Sequence, residues 1–141
     1  MNEGQALTSY VGHSAPTVWS FEPLFTTVDA SALSNAGKPT VVAQWGCWTT
    51  YHVSPSYDTL WHKLLTPGKG AAAAMGSTAP TESNAEIALG QLMMGKLTAP
   101  GATIGQAMVA AKHELAAQRP ELRGVLKAYT LLGDPALVIK P

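Results

Sequence analysis

The chain is poor in charge, nearly devoid of cysteine and free of long apolar runs. Each shortage removes a class of function. Charged residues make up 13% of the chain, and nine basic residues balance nine acidic ones. That balance removes the electrostatic case for binding nucleic acid or an anionic membrane surface. No apolar run approaches the roughly 20 residues needed to span a bilayer; the run over 71–75 is far too short. The single cysteine excludes an intrachain disulfide and a zinc-finger framework. The opening Met1-Asn2-Glu3-Gly4-Gln5 lacks the basic n-region and apolar h-region of a signal peptide. There is no internal repeat, and no low-complexity tract beyond four alanines.

What is present is a chain of 141 residues, 46% of them hydrophobic. That is the length of one domain, with enough apolar residues for a real core. Two apolar, β-prone runs stand out. Leu7-Thr8-Ser9-Tyr10-Val11-Gly12 leads directly into His13, and Thr40-Val41-Val42-Ala43-Gln44-Trp45-Gly46 leads directly into Cys47. Both read as buried strands. Open parallel sheets gather their ligands and chemistry at the carboxyl ends of the strands. Cys47 and His13 are therefore expected side by side on one edge. A thiol beside an imidazole is the basic apparatus of a cysteine nucleophile.

The rest of the chain alternates strands with helices, which implies a mainly parallel sheet and an α/β fold. A loop of small residues is expected over 14–20. The pattern Thr26-Thr27-Val28-Asp29 reads as a capping box opening a helix over 28–35, with Gly37 as its C-cap and Pro39 as its stop. Residues 48–57 read as an aromatic, polar loop, and Asp58 as the cap of a short helix through 65. The alanine run favours helix by propensity. Its flanking glycines and its place in the alternation assign it instead to a third buried strand, 71–75. Two further capping boxes, Ser83 to Glu86 and Thr103 to Gln106, open helices to about 97 and 118. In the second, Ile104, Met108, Ala111 and Leu115 share one face. Pro120 ends it. Strands follow over 129–132 and 136–139, separated by a Gly133-Asp134-Pro135 turn.

Each candidate residue has a plainer reading. Free cysteine is usually a small buried hydrophobe, but Cys47 follows Gly46 where the sheet gives way to a polar loop. A thiol there is open enough to react, and a nearby imidazole favours the thiolate. His13 follows Gly12, a sign of tight backbone. His52 is the rival base, while His62 and His113 read as surface groups. Cys47, His52 and His13 form a weak metal-ligand set with no recognisable spacing. The aromatics Trp45, Trp48, Tyr51, Tyr57 and Trp61 are explained mostly by packing, though Trp48 could wall a pocket. Asp134 reads as a turn residue.

Five segments, in order, resemble the gingipain-type cysteine peptidases, a family with a caspase-like catalytic domain. They are Gly4 to Trp19 around the histidine, Thr26 to Asn35, Pro39 to Thr50 around the cysteine, Gly70 to Thr78, and Tyr129 to Leu137 with its Gly-Asp-Pro. The resemblance implies a caspase-like three-layer sandwich with a mainly parallel sheet, here incomplete at the N-terminus. One partial domain over 1–141 is expected. It implies a dyad with Cys47 as nucleophile and His13 as general acid/base. It implies an oxyanion site made of the backbone N–H groups of Cys47 and of the residue after the histidine. In the family that residue is glycine; here it is Ser14. The loop after the cysteine, Trp48-Thr49-Thr50-Tyr51-His52, also departs from the family's small and acidic pattern. Trp48, Thr49, Ser77 and Thr78 are the pocket candidates. No metal or organic cofactor is required, although the family often carries structural calcium. The implied substrate is a peptide or protein. The implied partner is an upstream segment or a second copy that supplies missing strands, in a parent protein that is secreted or held at the cell surface. A non-catalytic caspase-like interaction domain is the alternative reading. A small-molecule hydrolase or transferase using the same dyad ranks last.

Overall fold

The structure, a computed structural model, describes residues 1–140 apart from 55 and 57. Tyr57 of the expected aromatic cluster lies outside the described residues. The main sheet is built from β1 (Leu7–Val11), β5 (Thr40–Trp45), β6 (Ala71–Ser77) and β7 (Tyr129–Gly133), in that spatial order. The first three strands run parallel, and β7 is antiparallel to β6. Every residue of β5 is buried, as expected of a parallel strand covered on both faces. The alanine run is indeed a strand. Context overrides propensity there because the chain can bury Ala71, Ala73, Ala74 and Met75 between two helical layers.

Alternation along the strands divides the core. Val41, Ala43 and Trp45 of β5 join Ala73 and Met75 of β6 on one face. This face is covered by α3 (Ser83–Leu97), α4 (Ile104–Gln118) and α5 (Arg123–Ala128). Val42 and Ala71 face the other way, against Ala30 of α1 (Thr27–Ser31) and Leu60 and Leu64 of α2 (Leu60–Leu64). The result is the expected three layers. Leu89, Met93 and Leu115 are almost fully buried, and each contributes about 2 kcal/mol of hydrophobic stabilisation. Among the described residues no helix is long and apolar enough to cross a membrane.

Several local expectations need correction. The stretch after His13 is a small antiparallel sheet, not an open loop: β2 (Ser14–Ala15), β3 (Val18–Trp19) and β4 (Phe25–Thr26). Strands of two residues are too short to show a period of two. Helix α1 has its capping box at Thr26 and Asp29, but it ends at Ser31, well before Gly37. Asn35 is drawn out of any helix because its amide is needed elsewhere. Buried almost completely, it donates to Lys38 O at 3.0 Å and to Gly70 O at 2.7 Å, and accepts from Gly70 N–H at 2.7 Å. Asp58 caps nothing; its carboxylate pairs with Lys63 and, at 3.2 Å, with His62. The hydrogen bond from Lys63 holds that carboxyl below its usual range.

The box at Ser83 does not form either. The N-cap of α3 is Glu82, without a side-chain cap, and Glu86 turns inward. The third box, Thr103 to Gln106, is present in full. Past Pro120 the chain makes a 3-10 turn (Pro120–Leu122) and α5, neither of which was expected. Residues 136–139 form no strand, only a bridge between Val138 and Thr103. The Gly133-Asp134-Pro135 turn is an Asx turn, with Ala136 N–H donating to Asp134 Oδ1 at 2.8 Å. It also closes the start of α4. Gly105 N–H donates to Pro135 O and Ile104 N–H to Leu137 O, at 3.0 and 2.8 Å, which satisfies two otherwise orphaned helix amides.

Candidate active site

The carboxyl ends of β1 and β5 are tied together by two bonds. Gly12 N–H donates to Trp45 O at 3.0 Å, and the Ser14 hydroxyl donates to the Cys47 carbonyl at 2.8 Å. Gly46 makes this approach possible. A Cβ there would stand 2.3 Å from Gly12 O and 2.3 Å from Ser14 Oγ. Ser14 itself needs no glycine-like backbone, because among the described residues the positive-φ positions other than glycine are Ser20 and Trp48.

The tie brings His13 and Cys47 to one cleft of about 190 Å³. Its lining also includes Val11 and Trp45 from the strands, and Thr81, Glu86 and Ile87 from the start of the α3 layer. The His13 ring is exposed and lies 4.7 Å from that of Phe21, centroid to centroid. Its carbonyl is held by the Tyr10 hydroxyl at 2.5 Å and by Ser20 N–H at 2.7 Å. Cys47 is half-buried. Its sulfur lies against the backbone of Thr81, whose N–H donates to Sγ at 3.4 Å, while Thr81 O lies 3.6 Å from Sγ as the acceptor of the thiol.

Of the other expected residues, Trp48, Thr49, Ser77 and Thr78 do not line this cleft. Thr49 and Ser77 are buried and serve the backbone: Thr49 Oγ1 accepts Ser77 N–H at 3.0 Å, and the Ser77 hydroxyl donates to Ala79 O at 2.8 Å. The Thr78 hydroxyl donates to Ala128 O at 3.1 Å. Trp48 has φ +54°, a left-handed conformation that costs a bulky residue about 1–2 kcal/mol; it turns the chain sharply just after the thiol. His52 stands apart as well. Its Nδ1 lies 2.9 Å from Thr50 O, and its ring packs edge-on to Trp61, which donates to Tyr51 O. His62 and His113 are exposed. Among the described residues, no three of His, Cys, Asp and Glu gather where a metal ion could sit.

One cleft residue was missed by the sequence reading. Glu86 is 4% exposed and accepts the Thr81 hydroxyl at 2.6 Å. Burial pushes its carboxyl above the usual range, against smaller opposing effects from the Thr81 hydroxyl and the Gly46 amide. The capping-box pattern concealed it. A visible signal was its place on the stripe it shares with Leu89, Gly90, Met93 and Leu97, since a charged residue on a buried helical face is unusual.

A mainly parallel sheet with a cysteine and a histidine at adjacent strand ends, both lining one cleft, is the arrangement to set beside known proteins. The chain belongs to peptidase family C25, whose sequence model matches residues 1–140. Among solved structures it is similar to the complex of the pro- and mature domains of Porphyromonas gingivalis RgpB, with a TM-score of 0.81 at 22% identity. It is also similar to the Arg-specific cysteine proteinase gingipain R (RgpB), with a TM-score of 0.78 at 20% identity. These alignments cover 99% of this chain but only 35% and 34% of the other two. The chain thus spans about a third of the length of the structures it matches. No match was found among curated proteins.

Proposed function

We propose that this domain hydrolyses peptide bonds with Cys47 as the nucleophile and His13 as the general acid/base. In this reading His13 takes the thiol proton as Sγ attacks the scissile carbonyl. It then returns a proton to the leaving amine, and water releases the acyl group in a second cycle. The backbone N–H groups of Cys47 and Ser14 are the proposed oxyanion donors, worth several kcal/mol between them. In the antiparallel ladder His13 O accepts Ser20 N–H, so the neighbouring Ser14 N–H points away from β3. In this reading it is offered to a substrate oxygen. This chemistry needs no metal.

The single observation that carries the reading is the shared cleft of His13 and Cys47, closed by the Ser14 hydroxyl on the Cys47 carbonyl. The test is labelling of Cys47 by iodoacetamide and by a peptidyl acyloxymethyl ketone. Cys47 is expected to react faster than free cysteine, and His13→Ala to lower the ketone rate by about 100-fold, the scale of one acid/base group. If Cys47 reacts no faster than free cysteine and His13→Ala changes nothing, the reading fails.

One observation favours a second reading, a docking role. Val11 and Ile87 are 67% and 49% exposed and flank an apolar groove between β1 and α3. We propose that an upstream segment or a second copy covers this groove. A chain that is monomeric and binds no hydrophobic dye would count against it.

A further inference from the structure

Glu86 and Thr81 lie behind the cysteine, and the dyad does not use them. Thr81 touches the sulfur through its backbone and Glu86 through its hydroxyl. Glu86 also lies against the amide of Gly46, the residue before Cys47. A buried carboxylate is costly unless it is hydrogen-bonded, so its position needs a reason. We propose that Glu86 is a positioning residue for Cys47: by accepting the Thr81 hydroxyl, it holds the Thr81 amide against the sulfur. The inference rests on Cys47 being the nucleophile, and it assigns that nucleophile a support.

The consequence is chemical. The Thr81 N–H donates to sulfur in both protonation states, but the bond is stronger to a thiolate. A fixed amide therefore favours the reactive form, against the longer contact to Thr81 O, which accepts the thiol at 3.6 Å and favours the neutral form. A loosened amide gives up that preference. Glu86 also has an opposing effect, because its negative charge disfavours a nearby thiolate. The titratable groups facing Cys47 across the cleft are His13, from the link between β1 and β2, and Glu86, from α3. Behind Glu86, Tyr129 of β7 has its hydroxyl pushed well up by burial and, to a lesser degree, by the Glu86 charge.

The test separates positioning from charge. The rate of Cys47 alkylation by iodoacetamide is followed against pH in the full chain, with a thermal midpoint for each variant. Glu86→Gln keeps an oxygen for the Thr81 hydroxyl, whereas Glu86→Leu does not. Both are uncharged, so their difference isolates the clasp. The alkylation midpoint of Glu86→Leu is expected above that of Glu86→Gln by about one pH unit, the scale of one amide bond to an anion. Thr81→Val is expected to move above the parent by a similar amount, and Thr81→Ser to return to it. Should Glu86→Leu fail to fold, the threonine pair carries the test. A merely structural clasp would lower the thermal midpoint and leave these profiles in place. Profiles that coincide, Leu with Gln and Val with the parent, overturn the proposal. His13→Ala in the same assay reports on the dyad separately: if it has no effect while the Thr81 variants do, the dyad fails and the clasp stands.

Discussion

Gly46→Ala is the sharpest perturbation available. The added methyl carbon would lie 2.3 Å from the Gly12 carbonyl oxygen, where ordinary contact begins at 3.4 Å. The strand ends must therefore separate by 3.4 − 2.3, about 1.1 Å, unless β5 bends away. The same methyl meets Ser14 Oγ at 2.3 Å, so both bonds that join the ends are strained at once. Overpacking of this kind costs about 1–3 kcal/mol, and partial loss of two hydrogen bonds adds about 1 kcal/mol. A displacement of about 1 Å at a reacting centre costs on the order of 100-fold in rate. Urea denaturation measures the first effect and acyloxymethyl ketone labelling of Cys47 the second. Gly95→Ala in α3 is the control, because beyond its own stretch of helix nothing lies within 4 Å of its added carbon. It is expected to stabilise by up to about 1 kcal/mol through helix propensity. If Gly46→Ala is as stable and as reactive as the parent, the strand ends do not set the site.

Three other outcomes follow from the same geometry. Thr103→Ala is expected to cost about 1 kcal/mol in urea denaturation, while Ser83→Ala, at a box that never forms, is expected to cost nearly nothing. Asn35→Ala leaves the Gly70 N–H and the Lys38 carbonyl without their partner, while the Gly70 carbonyl keeps the Thr40 N–H at 3.3 Å; it is expected to cost about 2–3 kcal/mol. Glu86 makes stability depend on pH in the direction opposite to a salt-bridged acid. Its folded pKa is raised, so its contribution is fully present below the unfolded value near 4.5 and is lost as pH rises through the folded one. Relative to the parent, Glu86→Gln should gain stability across that window and level off above it. A difference that is flat with pH would show that Glu86 does not titrate abnormally.

The large features were legible because they rest on periodicity and burial. Short β-branched runs bounded by Gly and Pro, such as Thr40–Trp45, read as central strands of a covered sheet, and once two such strands are parallel, their carboxyl ends share an edge. The placement of His13 and Cys47 on one edge follows from that. The two failed helix-start and helix-end readings share a cause, which is a demand on a local pattern from outside it. Ser83 to Glu86 has the composition of a capping box, but Thr81 and the core compete for Glu86 and win. The pattern over 28–35 suits a helix, but Gly70, far along the chain, claims the Asn35 side chain. A residue's neighbours in sequence cannot reveal a partner more than thirty positions away.

Ser14 shows the same point from the other side. Measured against the family pattern, a serine after the histidine is a loss, because glycine reaches backbone angles that serine cannot reach cheaply. The structure asks for no such angle at this position. The serine hydroxyl instead makes a bond that glycine could not, to the carbonyl of Cys47 at 2.8 Å. That bond needs Gly46 to keep the two strands close, and it fixes the backbone from which the proposed oxyanion donors project. The departure at Ser14 and the glycine before Cys47 therefore work as a pair. The side chain that replaces glycine after the histidine occupies space that glycine leaves open before the cysteine.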